Sequence, residues 1–129
     1  MDKERICIDT SILIDYYRKK DKSKTLFVNL SIKYLLSISV ITKLELLVGV
    51  AKNQKDFWNN IFQKIDIIPL NETEVEIASE IIRYLTKQNK IIGLKDILIG
   101  STALAKGLKL STLNKKDFER IEGLELIIA

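Results

Sequence analysis

Short β-branched runs alternate along this chain with longer stretches in which apolar residues recur every three or four positions. Arg5-Ile6-Cys7-Ile8 is the first such run, and it ends at Asp9-Thr10-Ser11, the composition of a strand passing into a helix cap. A helix is predicted over 12–18, a loop over the charged stretch 19–24, and a second short helix over 25–33. Leu36-Ser37-Ile38-Ser39 alternates with a period of two, as a half-buried strand does. Ser39 or Thr42 then suits the cap of a helix running through Glu45 toward Gly49. A helix over 56–64 carries Phe57, Trp58, Ile61 and Phe62, and a third strand is predicted over 65–70, with Pro69 near its end. The strongest helical pattern spans 72–89, where Val75, Ala78, Ile82 and Leu85 form a stripe and Asn71 or Thr73 is available as a cap. A helix over 97–106, a strand over 108–111, a helical turn over 115–120 and a final strand over 124–128 complete the prediction.

Strands alternating with helices predict a parallel α/β sheet with helices on both faces. Ligands of such sheets bind beyond the carboxyl ends of the strands. Acids fall on that rim. Asp9 follows the first strand, Glu45 lies six residues beyond the second, and the stretch from Asn114 to Asp117 follows the fourth. Asp96 opens the helix leading into the fourth strand, and a crossover returns its start to the same edge. Taken singly, Asp9 also suits a plain N-cap, and Asp96 a charge that favours the helix dipole. Glu45 resists that reading, because Leu44, Leu46, Leu47 and Val48 flank it and a merely solvating charge fits poorly there. The face that carries Asp96 also carries Gly100 and Ala103, small residues that let another element approach closely.

With 129 residues, 47% of them hydrophobic and 29% charged, the expectation is one domain over residues 1–129, long enough to bury a core. The chain contains no histidine. A Ser-His-Asp triad, a histidine general base and a histidine-ligated zinc site are therefore excluded. Carboxylates gathered from separate elements supply instead the oxygen ligands that hard divalent cations take. The net charge of +4 is a mild basic excess, compatible with a polyanionic partner. Cys7 is the lone cysteine, so no internal disulfide forms, and its apolar neighbours predict a buried small hydrophobe rather than a nucleophile. No apolar run approaches the length of a bilayer span and no basic-then-apolar signal segment opens the chain, so a cytoplasmic protein with no membrane partner is expected.

Four segments, in order, resemble the motifs of one family. Asp9-Thr10-Ser11-Ile12-Leu13-Ile14-Asp15 and Thr42-Lys43-Leu44-Glu45-Leu46-Leu47-Val48-Gly49 look like the opening of a PIN-domain ribonuclease of the VapC toxin type. Lys95-Asp96-Ile97-Leu98-Ile99-Gly100-Ser101-Thr102-Ala103 is similar to its third acidic motif, and Leu110-Ser111-Thr112-Leu113-Asn114-Lys115-Lys116-Asp117-Phe118 to its fourth. The resemblance spans essentially the whole chain. It implies a PIN-like three-layer α/β fold around a five-stranded parallel sheet, and a Mg²⁺- or Mn²⁺-dependent endoribonuclease. It also implies a toxin acting on RNA, neutralised by a cognate antitoxin, and a homodimer.

Carried over residue by residue, the resemblance assigns catalytic and metal-holding roles to Asp9, Glu45, Asp96 and Asp117. Some relatives place an acid where Asn114 stands, and Asn114 still offers a neutral oxygen. Thr10 or Ser11 and Thr112 match polar positions with hydrogen-bonding roles. Phosphate contacts are expected from Lys43, Lys95, Lys115 and Lys116, with solvated surface as the alternative for each, as for the basic loop 19–24. The cluster of Phe57, Trp58, Ile61 and Phe62 reads as helix packing rather than a base-stacking platform, in a region that contributes in the family to dimer or antitoxin contacts.

Three rival readings stand beside this one. A receiver domain is also a small parallel α/β fold with an acidic metal site, but it needs an acidic pair after its first strand, where this chain has Asp9 alone. A non-catalytic PIN-like adaptor is disfavoured by the presence of all four acids. A PIN nuclease of RNA processing shares the chemistry and differs only in its biological setting.

Overall fold

A computed structural model of the chain describes residues 2–49 and 52–127. Four short strands, β1 (Arg5–Ile8), β2 (Leu35–Ser39), β3 (Asp66–Ile68) and β4 (Leu110–Ser111), form one sheet in the order β3-β2-β1-β4. Every pairing in it is parallel. The helices among the described residues are α1 (Thr10–Arg18), α2 (Leu26–Lys33), α3 (Val40–Gly49), α4 (Lys55–Lys64), α5 (Glu72–Lys87), α6 (Leu94–Ala105) and α7 (Lys115–Phe118). None of them is long and apolar enough to cross a membrane.

The strand alternation of β1 divides the interior into two cores. Ile6 and Ile8 pack on one face with Ile12, Leu13, Leu30, Trp58 and Phe62, from α1, α2 and α4. Cys7 points to the other, among Ala78, Ile81, Leu85, Ile97, Ile99 and Phe118, from α5, α6 and α7. Successive side chains of a strand face opposite ways, so a central strand covered on both sides must be apolar at every position. Burial pushes the Cys7 thiol up to about 12, which makes it the inert hydrophobe its neighbours predict.

Two expectations are corrected. The fifth strand predicted over 124–128 shrinks to one parallel bridge, Leu110 to Leu126. It is held by Leu110 N–H to the Glu125 carbonyl and Ile127 N–H to the Leu110 carbonyl, each 2.9 Å. The sheet therefore has four strands among the described residues, not five; β4 pairs with β1 at both of its residues, but with this segment only through Leu110. Ile128, the last residue of the predicted strand, lies outside the described residues.

The stripe predicted for α5 is also offset. Ala78 and Leu85 are buried as expected, but Glu74 and Ile81 join them, while Val75 and Ile82 are 52% and 39% exposed. Glu74 tolerates burial because its Oε2 accepts the Asn71 N–H at 3.0 Å, within a capping box. A carboxylate at the helix N-terminus is also favoured by the dipole.

Candidate active site

Counting outward from β1, the strand order runs toward β2 on one side and toward β4 on the other. The helices leaving β1 and β4 consequently pack on opposite faces, and it is at such a point, beyond the carboxyl ends of the strands, that parallel sheets bind ligands. Asp9 stands directly after β1 and Thr112 directly after β4.

Asp9 is only 3% exposed. Its Oδ1 accepts from Ser11 Oγ at 2.6 Å and its Oδ2 from Thr112 Oγ1 at 2.6 Å. Each hydroxyl in turn accepts a backbone N–H from the β4–α7 loop: Leu113 N to Ser11 Oγ at 3.0 Å, and Asn114 N to Thr112 Oγ1 at 2.8 Å. A hydroxyl has one proton, and here both are committed to the carboxylate. Asp9 thus occupies the N-cap position of α1 while both its oxygens serve the site. Burial nevertheless raises its pKa, with the Ser11 and Thr112 hydroxyls acting against that rise.

Glu45 projects half-buried from the second turn of α3. Its Oε1 accepts from Thr10 Oγ1 at 2.9 Å, and its Oε2 lies 4.0 Å from Lys95 Nζ. Thr10 Oγ1 is also 3.1 Å from Oγ1 of Thr42, a side chain with no exposed surface. Asp96 lies in the first turn of α6, which begins at Leu94, three residues earlier than predicted. The Asn114 amide links it to Asp117: Nδ2 donates to Asp96 Oδ2 at 3.3 Å and to Asp117 Oδ2 at 3.1 Å.

The other three predicted acids lie within electrostatic reach of Asp96. The Asp96 carboxyl is pushed up to about 6, first by burial and then by Asp9, Glu45 and Asp117, against the opposing Asn114 hydrogen bond. A site in which three carboxylates raise the pKa of a fourth is short of positive charge. Lys95, exposed at its edge, is the cation that pairs with it.

The donor set fits a hard divalent cation. It consists of carboxylate, amide and hydroxyl oxygens, with no histidine in the chain and the one thiol buried and protonated. In the conformations present, no three acidic or thiol side chains among the described residues stand close enough to share one ion. Asn114 Nδ2 instead bridges Asp96 and Asp117, so holding an ion requires those side chains to turn.

The remaining predicted residues divide. Lys95 reaches Glu45, and Lys115 and Lys116 open α7 next to Asn114. Lys43 holds its ammonium 5.3 Å over the Phe62 ring, in the helix layer. Trp58, Ile61 and Phe62 are core, as expected of helix packing, and Phe57 packs against that core half-buried. Lys22, assigned to a basic loop, donates to the carbonyls of Tyr16 and Tyr17 at 2.9 Å each and of Lys19 at 3.1 Å. Thr42 was not among the predicted site residues. It sits three positions before Glu45 in a helix, and that spacing places both on one face.

The PIN domain family profile matches residues 6–124. Ribonuclease VapC1 of Methanocaldococcus jannaschii is 33% identical over 128 residues, covering 98% of this chain and 88% of that protein. Ribonuclease VapC1 of Rickettsia felis is 37% identical over 130 residues, covering 95% and 94%. In shape, a chain of VapBC2 from Rickettsia felis, solved bound to a DNA fragment from its promoter, superposes with a TM-score of 0.84 at 27% identity, covering 95% of this chain and 97% of that one. The chain belongs to the PIN domain family, and within it to the VapC ribonucleases.

Proposed function

We propose that this protein is an endoribonuclease and the toxin of a toxin–antitoxin pair, hydrolysing RNA phosphodiester bonds at the acidic crevice. One observation carries the reading. Asp9, Glu45 and Asp117, brought from three separate elements, all act on the protonation of Asp96. Acids gathered from separate elements around a carboxyl whose pKa they raise are the arrangement found at functional sites. The VapC ribonucleases it resembles, and the VapBC assembly it superposes on, support the toxin setting.

Asp9, Glu45, Asp96 and Asp117 would hold Mg²⁺ or Mn²⁺. When bound, such an ion supplies Lewis-acid activation of the attacking water and relief of charge on the phosphate. The chain itself does the orienting. Ser11 and Thr112 fix both oxygens of Asp9, and Thr10 fixes one oxygen of Glu45. Lys95, Lys115 and Lys116 lie where an RNA backbone would approach the acids, and hydrolysis by water leaves a 5′-phosphate and a 3′-hydroxyl. A groove that includes Glu45 continues past Tyr17, Arg18, Leu46 and Trp58, and a segment of the cognate antitoxin seated there would cover the acid. A homodimer accords with the family.

The test is cleavage of total cellular RNA by the purified, antitoxin-free protein, with Mg²⁺ or Mn²⁺, with EDTA, and beside Asp9→Asn. Discrete fragments that need metal and vanish in the variant are expected. Undiminished cleavage by Asp9→Asn, or none from a metal-loaded wild type, would refute the reading.

A further inference from the structure

Glu45 is fixed by a chain of two hydroxyls that crosses between helices. Oγ1 of Thr10 stands 2.9 Å from Glu45 Oε1 and 3.1 Å from Oγ1 of Thr42. Thr10 belongs to the first turn of α1; Thr42 and Glu45 both belong to α3. An ionised carboxylate accepts hydrogen bonds and donates none. The single proton of Thr10 therefore goes to Glu45, and its contact with Thr42 is one in which Thr42 donates.

Burial makes that direction matter. Thr42 has no exposed surface and Thr10 is 8% exposed, so no bulk water substitutes for either partner. A buried hydroxyl left without a partner costs about 1–3 kcal/mol, and here each is satisfied by the other. Glu45 is held at both oxygens as a result, by Thr10 on Oε1 and by Lys95 at the edge of ion-pair range on Oε2. Lys95 is solvent-exposed, so the Thr10 arm is the one that fixes the carboxylate's direction.

We infer that Thr42 is a positioning residue of the nuclease: its hydroxyl polarises Thr10 and thereby holds Glu45 aimed into the acidic crevice. The inference rests on the nuclease reading for its consequence and on the relay's geometry for its existence. Partners one shell out from a working carboxylate commonly change activity 10–100-fold when removed.

Thr42→Val keeps the shape and removes the donor, while Thr42→Ser keeps the donor. Steady-state cleavage of a short RNA, melting temperature and the side-chain NMR couplings that report the Glu45 χ1 rotamer are measured for both, for Thr10→Val and for the Thr10→Val/Thr42→Val pair. Thr42→Val is expected to lower kcat about tenfold at unchanged KM, with Glu45 averaging over rotamers. Thr42→Ser restores both. Because the two hydroxyls act in series, the double variant should lose no more than Thr10→Val alone. Additive losses, or a single Glu45 rotamer in Thr42→Val, would overturn the relay. Should Thr42→Val fail to fold, Thr42→Ala carries the same comparison. A wild type that cleaves no RNA would defeat the nuclease reading, and the Glu45 couplings would still decide the relay.

Discussion

Thr112 and Asp9 are 103 positions apart in the chain, and their side chains meet at 2.6 Å. The contact joins the ends of β1 and β4, and the same hydroxyl accepts the Asn114 N–H, so the β4–α7 loop and the Asp9 carboxylate fix each other. Removing the donor while keeping the shape, as in Thr112→Val, should reduce metal-dependent cleavage by roughly 10–100-fold. Thr112→Ser should retain most of it. A metal titration of RNA cleavage for the two variants measures this, and equal activity in both would remove Thr112 from the site.

Protonation of the acids should show in stability. Asp96 has its pKa raised to about 6 from an ordinary 3.8, and Asp9 is raised too. A raised folded-state value means the fold prefers the protonated form. Their contribution is therefore complete below about pH 4 and lost as the pH rises through about 6. In EDTA the melting temperature should fall between pH 5 and pH 7.5, and Asp96→Asn should flatten the fall and melt above wild type at pH 7.5. Added Mg²⁺ should recover more stability at pH 7.5 than at pH 5. Thermal melts across that range decide it; a wild type and Asp96→Asn with parallel pH profiles would contradict the raised Asp96 value.

Gly100 supports the site from behind, on the helix that carries Asp96. A Cβ there would stand 2.6 Å from Ile121 Cδ1 and 3.6 Å from Leu124 Cδ2. Alanine gains about 1 kcal/mol of helix propensity, but overpacking against the buried Ile121 costs about 1–3 kcal/mol. Gly100→Ala should accordingly lose about 1 kcal/mol in urea unfolding, and Gly100→Val more. A stabilised Gly100→Ala would mean that Ile121 swings aside freely.

Lys22 closes the carboxyl end of α1. Besides three backbone carbonyls, its ammonium lies 5.1 Å from the Tyr16 ring centroid and 5.7 Å from those of Tyr17 and Phe57. Lys22→Met should destabilise the protein by about 1–2 kcal/mol, from lost dipole and cation–π interactions, with kcat unchanged. Denaturant melts read the difference, and a change within about 0.5 kcal/mol would return Lys22 to ordinary solvated surface.

Much of the fold was legible in the residue order because periodicity is local. β1 was recognisable from Arg5-Ile6-Cys7-Ile8 and α4 from its aromatic face, and both lie within a residue or two of their predicted ends. The acids were legible for a topological reason: parallel strands bring every strand-to-helix junction to one rim, so Asp9, Glu45 and Asp117 were bound to share it. Asp96 joined them because α6 starts early enough to place it in a first turn.

Other features depend on neighbours far away in sequence. The offset stripe of α5 follows from Glu74, whose burial is tolerable once Asn71 N–H reaches it. Among the described residues the predicted fifth strand is reduced to the single bridge that Leu126 makes to Leu110, a pairing that only the position of β4 decides. Which hydroxyls hold which carboxylate was equally out of view, since Thr10, Ser11, Thr42 and Thr112 look alike in one dimension. Element type, sheet direction and the identity of the acids come from local pattern and the rules of parallel topology. Register, the buried face and the direction of each hydroxyl proton come from packing, where a polar group's state is set by the nearest partner in space.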